Sequence, residues 1–390
     1  MADTNVKRGA YKHLDAWRGV ASLWVVLYHA TMPIAEKYQF VTASPVYFIS
    51  KFGCFGVWMF FVVSGYCIAN AASNSLGREN GILRYAVARL RRIFPPYWSS
   101  AVLYFMFSAV AVVLAQKHII KAGALASLDV MHQPPLYYVA TVTLGQKILH
   151  QDYLQGVYWT LCYEVAFYLV MGVSLSLAFK KADARALLNG AHVTTLVALA
   201  VLIGTNRHVY PFDLWPCFGI GALIYDLIAH PKVLAPRLVL AALTVEVAWY
   251  AAQHHVMNSN VDVGGGISLL FCFVFGLLLI VLHRYDEKIA SIRAVKWLSW
   301  VGMFSYSLYL THYMIVSIIS KAFDRFGKMG EWYVPCVLLC VAFSILFARA
   351  FYQYCERPFV GSKRDPRPAP AGKPWEPQSP VAPSPQEISL

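Results

Sequence analysis

Charge is what this sequence has least of. Acidic and basic residues together make up only 14% of its 390 positions, where a soluble chain carries about 25%. Too few charges are present to coat a globular surface, which excludes a soluble globular enzyme, a fibrous protein and a disordered one. There is no Walker phosphate loop, no GxSxG, no HExxH and no CxxC pair. The phosphate-binding fingerprints of nucleotide-driven pumps are therefore missing. The eight cysteines lie mostly inside apolar runs and read as small buried hydrophobes, not as a disulfide framework or metal site. The net charge of +13 comes with no zinc-finger, basic-zipper or RNA-binding pattern, so no nucleic-acid partner is expected.

What the sequence does have is apolar length: 58% of it is hydrophobic. Crossing a bilayer takes about 20 apolar residues in a helix. Ten runs qualify, at 14–34, 46–72, 95–116, 157–179, 186–204, 209–229, 236–253, 264–283, 298–320 and 332–355. No dyad alternation of a barrel is present, so the expected fold is all-α, a polytopic transmembrane helical bundle of about ten spans. Most of the 33 basic residues then fall on one side, in the segments around Lys7–Arg18, Arg78–Arg92, Lys180–Arg185, Lys232–Arg237, Arg284–Lys296 and Arg357–Lys373. That bias puts both termini in the cytoplasm. The basic-then-apolar N-terminus runs past a signal-peptide core with no clear A-x-A site, and is expected to be a retained span. The run Pro135–Leu149, inside the long outer stretch 117–156, would flip every downstream loop if it crossed, so a re-entrant or surface helix is expected there. Residues 1–361 read as the membrane domain. The Pro-rich segment 362–390 reads as a disordered cytoplasmic tail.

Ionisable groups within spans are costly unless paired, which makes each a candidate for function. In "LDAWRGVASLWVVLYHA", Arg18 and His29 are eleven residues apart. On a helix that is roughly 16 Å of rise and a return to within about 20° of the same face, with Ser22 and Val25 on the stripe between. One face thus carries a fixed cation near one leaflet and a titratable imidazole deep in the bilayer, an arrangement suited to holding an anionic donor below and doing base chemistry above. The bland alternative is a histidine that merely bonds a neighbouring helix. Glu164, in the fourth span, needs a partner, and His29 is the natural candidate; the bland alternative is a structural ion pair or a protonated carboxyl bonded to a hydroxyl. In the ninth span Ser305, Tyr309 and His312 fall at i, i+4 and i+7 on one face, which serves substrate binding or plain helix packing. Arg89 and Arg92 are i, i+3 neighbours in a basic patch suited to phosphates, or simply to setting topology and touching the anionic heads of membrane lipids. Pro95 and Pro96 are expected to end that helix. Phe61, Ser64 and Gly65 mark an interruption or a close packing point in span two. For Asp226, Glu246 and Arg349 no role beyond pairing is evident.

The blocks "HLDAWRGVASLWVVLYHA", "FFVVSGYCIA", "RLRRIFPPYW", "VYWTLCYEVAFYL", "FSYSLYLTHY" and "YCERPF" together resemble, in this order, the signature segments of the membrane acyltransferase-3 family, over about residues 12–360. The resemblance implies an inner-membrane enzyme moving an acyl group, usually acetyl, from cytoplasmic acyl-CoA to a sugar or glycan hydroxyl on the far side. It maps the family's Arg-X10-His motif onto Arg18 and His29, with His29 catalytic, and its Arg-x-x-Arg motif onto Arg89 and Arg92. Some members carry a fused extracytoplasmic hydrolase-like domain. None is expected here, which leaves the acceptor to the spans, the 117–156 stretch or a separate protein.

The combined expectation is a cation-mouthed slot. Arg18, Arg89 and Arg92 hold the phosphates of acyl-CoA, His29 acts as base with Glu164 orienting it, and Ser305, Tyr309 and His312 meet the substrate. No metal is called for. The competing reading is a proton-coupled secondary transporter using His29 and Glu164 as its proton site.

Overall fold

A computed structural model describes residues 11–76, 78–117, 130, 132–179, 184–205, 207–253, 266–325 and 329–360. The expected disordered tail at 362–390 lies outside the described residues, which contain helices and no strand.

The first helix, α1 (Leu14–Lys37), carries both Arg18 and His29. Its start is capped from a distance: the Asp286 carboxylate accepts from the backbone N–H of Lys12 (2.8 Å) and of His13 (3.1 Å), taking two donors that a helix start leaves unpaired. Pro33 sits inside α1 and has no N–H to give the carbonyl four residues back, that of His29. Then come α2 (Pro45–Ser50), capped by the Ser44 hydroxyl, and α3 (Phe55–Ser73). The fourth helix, α4 (Gly81–Gln116), runs unbroken through Pro95 and Pro96. This corrects the expectation that the prolines end it. Only two backbone N–H groups are lost, those that would have reached the Arg91 and Arg92 carbonyls, and side chains bond the backbone close by: Ser99 Oγ donates to the Pro95 carbonyl (2.9 Å) and Tyr306 OH to that of Ile93 (3.0 Å).

The apolar run at 135–149 is no span. It forms α5 (Pro135–Thr143) and α6 (Gln146–Leu149), both too short to cross. They are held to α4 by Tyr97 OH donating to the Thr141 carbonyl (2.6 Å) and Trp98 Nε1 donating to that of Val142 (3.0 Å). There follow α7 (Trp159–Phe179), α8 (Ala184–Thr205), α9 (Trp215–Ala229), α10 (Ala235–Gln253), α11 (Gly266–His283), α12 (Asp286–Ser291), α13 (Arg293–Gly302), α14 (Ser305–Arg325) and α15 (Met329–Phe351). The expected ninth span, 298–320, is thus two helices with a break at Met303 and Phe304.

Among the described residues, seven helical stretches are long and apolar enough to cross a membrane: Pro45–Ser73, Gly81–Gln116, Gly156–Ala178, Arg185–Thr205, Ala235–Gln253, Gly266–His283 and Trp332–Glu356. The protein is a multi-pass membrane protein whose described residues form helices and no strand. Three of the ten expected spans are not among the seven, and each has a physical reason. On α1 and α14, polar side chains dilute the apolar face. On α9, 15 residues long, almost every side chain is covered by protein, so it has no need of a lipid-length apolar run. The apolar pattern is turned outward where lipid is the neighbour: α7 exposes Leu169, Val173 and Leu177 but buries Phe167, Met171 and Leu175.

Close backbone approach fixes the centre. A Cβ on Gly65 of α3 would collide with the Phe218 carbonyl of α9, and one on Gly221 with that of Val62. Gly65 therefore marks close packing and not an interruption, since α3 is continuous around it. Gly65→Ala is expected to destabilise the bundle by about 1–3 kcal/mol, read as a lower melting temperature in detergent. An unchanged melt would show that the two helices separate freely.

Candidate active site

Arg18 of α1 and Arg92 of α4 face one cavity of about 570 Å³, counted with its open mouth. Its walls are Val57, Phe60, Phe61, Ile93 and Leu161, and its polar lining is Ser64, Thr160, Glu164, Ser305, Tyr306 and Tyr309. Five residues expected from the sequence therefore converge: Arg18, Arg92, Glu164, Ser305 and Tyr309. Arg18 Nη1 lies 3.4 Å from Asp15 Oδ1 on its own helix. Arg92 makes no direct hydrogen bond or ion pair among the described residues, though the Glu356 and Glu164 carboxylates are near enough to act on its charge. The buried Ser305 hydroxyl also lacks a partner among the described residues.

Arg89 stands apart. Its guanidinium lies over the rings of Tyr85 (5.9 Å) and Tyr168 (5.6 Å) and does not line the cavity. Glu164 also departs from expectation. It accepts from Tyr168 OH (2.6 Å) and Ser64 Oγ (3.4 Å), and the partner of His29 is His312, not Glu164. The reason is register: Glu164 opens onto the arginine cavity, whereas α14 brings His312 directly against α1.

The two histidines lock each other's protons. His312 Nδ1 lies against two carbonyl oxygens, those of Leu308 (3.0 Å) and Tyr309 (2.8 Å), and must carry the hydrogen there. His312 Nε2 is then an acceptor, 3.2 Å from His29 Nδ1. His29 Nδ1 also meets the Val25 carbonyl at 3.0 Å. With two acceptors in front of it, His29 Nδ1 is a donor, which leaves the lone pair on Nε2. This is the tautomer logic of a base held by a neighbour.

Between the cavity and this pair stands Tyr309. Its hydroxyl donates to the Val157 carbonyl (2.7 Å) and accepts from Thr160 Oγ1 (2.8 Å). Neither histidine lines the cavity. The expected slot is open from the arginines as far as Tyr309 and Thr160, and from there packed side chains continue to His312 and His29.

Glu356 was missed. Buried at the end of the last helical stretch, it accepts from the backbone N–H (3.2 Å) and hydroxyl (2.5 Å) of Ser307, capping the first turn of α14 and so fixing Ser305 and Tyr309. The signal was a carboxylate in "YCERPF" where topology favours cations. Thr160 and Tyr168 were also passed over, though both stand in the block around Glu164. Of the remaining intramembrane ionisables, Asp226 is paired as expected, with Arg185 (2.5 Å), His192 (2.9 Å) and His230 (2.8 Å). Among the described residues no group of three or more His, Cys, Asp or Glu side chains is arranged to hold a metal ion.

Residues 11–349 match the model of the acyltransferase-3 family, described as an acyltransferase domain. The chain belongs to that family. It is similar to the O-acetyltransferase OatA of Staphylococcus aureus (strain NCTC 8325 / PS 47), with 23% identity over 378 residues, covering 88% of this chain and 56% of the relative. It is also similar to a putative O-acetyltransferase, SACOL0978, of S. aureus strain COL, at 22% over 379 residues, 89% of this chain and 56% of the relative. The chain thus spans little more than half the length of these curated relatives. No solved structure matches it.

Proposed function

We propose that the chain is a membrane-embedded O-acyltransferase that moves an acyl group, acetyl in the first instance, from acyl-CoA to a hydroxyl of a sugar or glycan. The observation that carries this reading is the oriented His29–His312 pair set beyond an arginine-lined cavity. Acyl-CoA is a substrate in this scheme. Arg18 and Arg92 bind its phosphates, and the apolar walls Val57, Phe60, Phe61 and Ile93 take its thin pantetheine arm. His29 Nε2 removes the proton of the acceptor hydroxyl as that oxygen bonds to the acyl carbon. The C–S bond then breaks, and the proton passes from the imidazolium to the departing thiolate. Tyr309 and Thr160 stand where the thioester must pass, so a shift of the Tyr309 side chain belongs to the cycle. Glu164 balances the two arginines and does not orient His29 in this scheme. Arg89 supports Tyr168 at the cavity's edge. Ten spans, cytoplasmic termini and an inner-membrane location fit the basic bias of one set of loops, and place the arginines on the side where acyl-CoA is made.

The test is transfer of label from acetyl-CoA to a glycan acceptor by the purified protein. Arg92→Ala is expected to raise the KM for acetyl-CoA about 10- to 100-fold, the loss of a charge-assisted contact, with a smaller change in kcat. No transfer with any glycan, together with solute uptake into vesicles free of CoA, would instead establish the transporter reading.

A further inference from the structure

Arg349 is a cation that the acyl-transfer scheme leaves unused. It lies near the C-terminal end of α15 within the apolar stretch Trp332–Glu356. Its guanidinium stacks over three rings at once, those of Trp300 (5.8 Å), Phe304 (5.8 Å) and Tyr352 (5.6 Å). Among the described residues it makes no hydrogen bond and no ion pair. Its nitrogens are not among the buried unpartnered atoms either, so the donors are accessible from outside. Aromatic faces satisfy a guanidinium's charge in part but none of its N–H groups.

The surroundings are suited to supplying the acceptor. Trp300 is partly exposed, and α13 presents a face of exposed Arg293, Lys296, Trp297 and Trp300. Lys296 stands one turn before Trp300, on the same side of the helix. This face sits at the end of the bundle that carries Arg18, because α13 packs so closely on α1 that Gly302 leaves no room for a Cβ against the Asp15 carbonyl. A short helix with tryptophan and lysine side by side is what lies along the boundary between hydrocarbon and headgroups.

We infer that Arg349, Lys296 and Trp300 form a binding site for the phosphate of an anionic phospholipid. Charge complementarity commits the site to that occupant: two cations flank an exposed indole, and phosphate takes bidentate donation from a guanidinium. The inference needs a multi-pass membrane protein but not the chemistry at His29, and its readout involves no acyl transfer.

The experiment is native mass spectrometry of the full chain, released from nanodiscs holding equal amounts of phosphatidylglycerol and phosphatidylcholine with the same acyl chains. The wild type is expected to retain phosphatidylglycerol in preference, and Lys296→Gln to lower that preference about fivefold, the worth of one charge at an anionic surface. Lys296 is exposed, so this arm stands even if Arg349→Gln folds poorly. The double variant Lys296→Gln/Arg349→Gln is expected to lose the preference further, and Arg349→Lys to restore part of it. Equal retention of the two lipids by the wild type, or an undiminished preference in Lys296→Gln, overturns the site.

Discussion

Replacing His29 by glutamine is expected to lower acyl transfer by a factor of about 10²–10⁴, the range of general-base catalysis, while acyl-CoA binding persists. Glutamine can still donate to the Val25 carbonyl that His29 meets at 3.0 Å, so α1 keeps its local bonding. What disappears is the lone pair on Nε2. Arg18 lies on the same helix eleven residues earlier, and Arg92 on another, so the donor contacts do not depend on the imidazole. Turnover and CoA affinity should be measured on the same preparation. Wild-type turnover in His29→Gln would remove the base from the scheme. Loss of CoA binding along with turnover would point to a structural role.

The second large effect belongs to His312. Changing it to leucine takes away the acceptor 3.2 Å from His29 Nδ1, and only the Val25 carbonyl then holds the tautomer. A kcat lower by about tenfold to a hundredfold is expected, by analogy with other groups that orient a catalytic or ligating imidazole, at unchanged KM for acetyl-CoA. His312→Gln, which can offer an oxygen to the same hydrogen, should recover part of the loss. In a His29→Gln background, His312→Leu should cost almost nothing further, because the two act as a unit. A kcat effect of the same size in that background would mean that His312 works through something other than His29.

How much of this was legible beforehand differs by residue. The placing of Arg18 and His29 on one helix follows from 3.6-residue geometry, and α1 has it. The resemblance implies a donor role for Arg92, and Tyr309 reads only as part of a helix-face stripe; that both meet Glu164 at one cavity is visible only in the structure. The pairing of His29 with His312 is visible only there too. Glu164 seemed the natural partner because opposite charges attract, but which face of α7 meets which helix is set by packing that no local pattern encodes. His312 showed only as a polar stripe on α14. The fate of Pro95 and Pro96 was misread by a rule drawn from soluble helices. In a bundle, side chains of the same and neighbouring helices bond the backbone near the prolines and the helix continues. The division of 298–320 into α13 and α14 was hidden because both halves are apolar enough to read as one run, and the Glu356 carboxylate that caps the second half comes from some fifty residues downstream.

The two helices that carry His29 and His312 are not among the stretches apolar enough to enter a bilayer alone. A newly made segment is sorted by its own hydropathy before its neighbours exist. Neither α1 nor α14 reaches the threshold that the seven apolar stretches reach, and their polar faces find shelter only once α3, α4 and α15 have been synthesised. The final place of α1 therefore depends on packing partners that follow it in the chain.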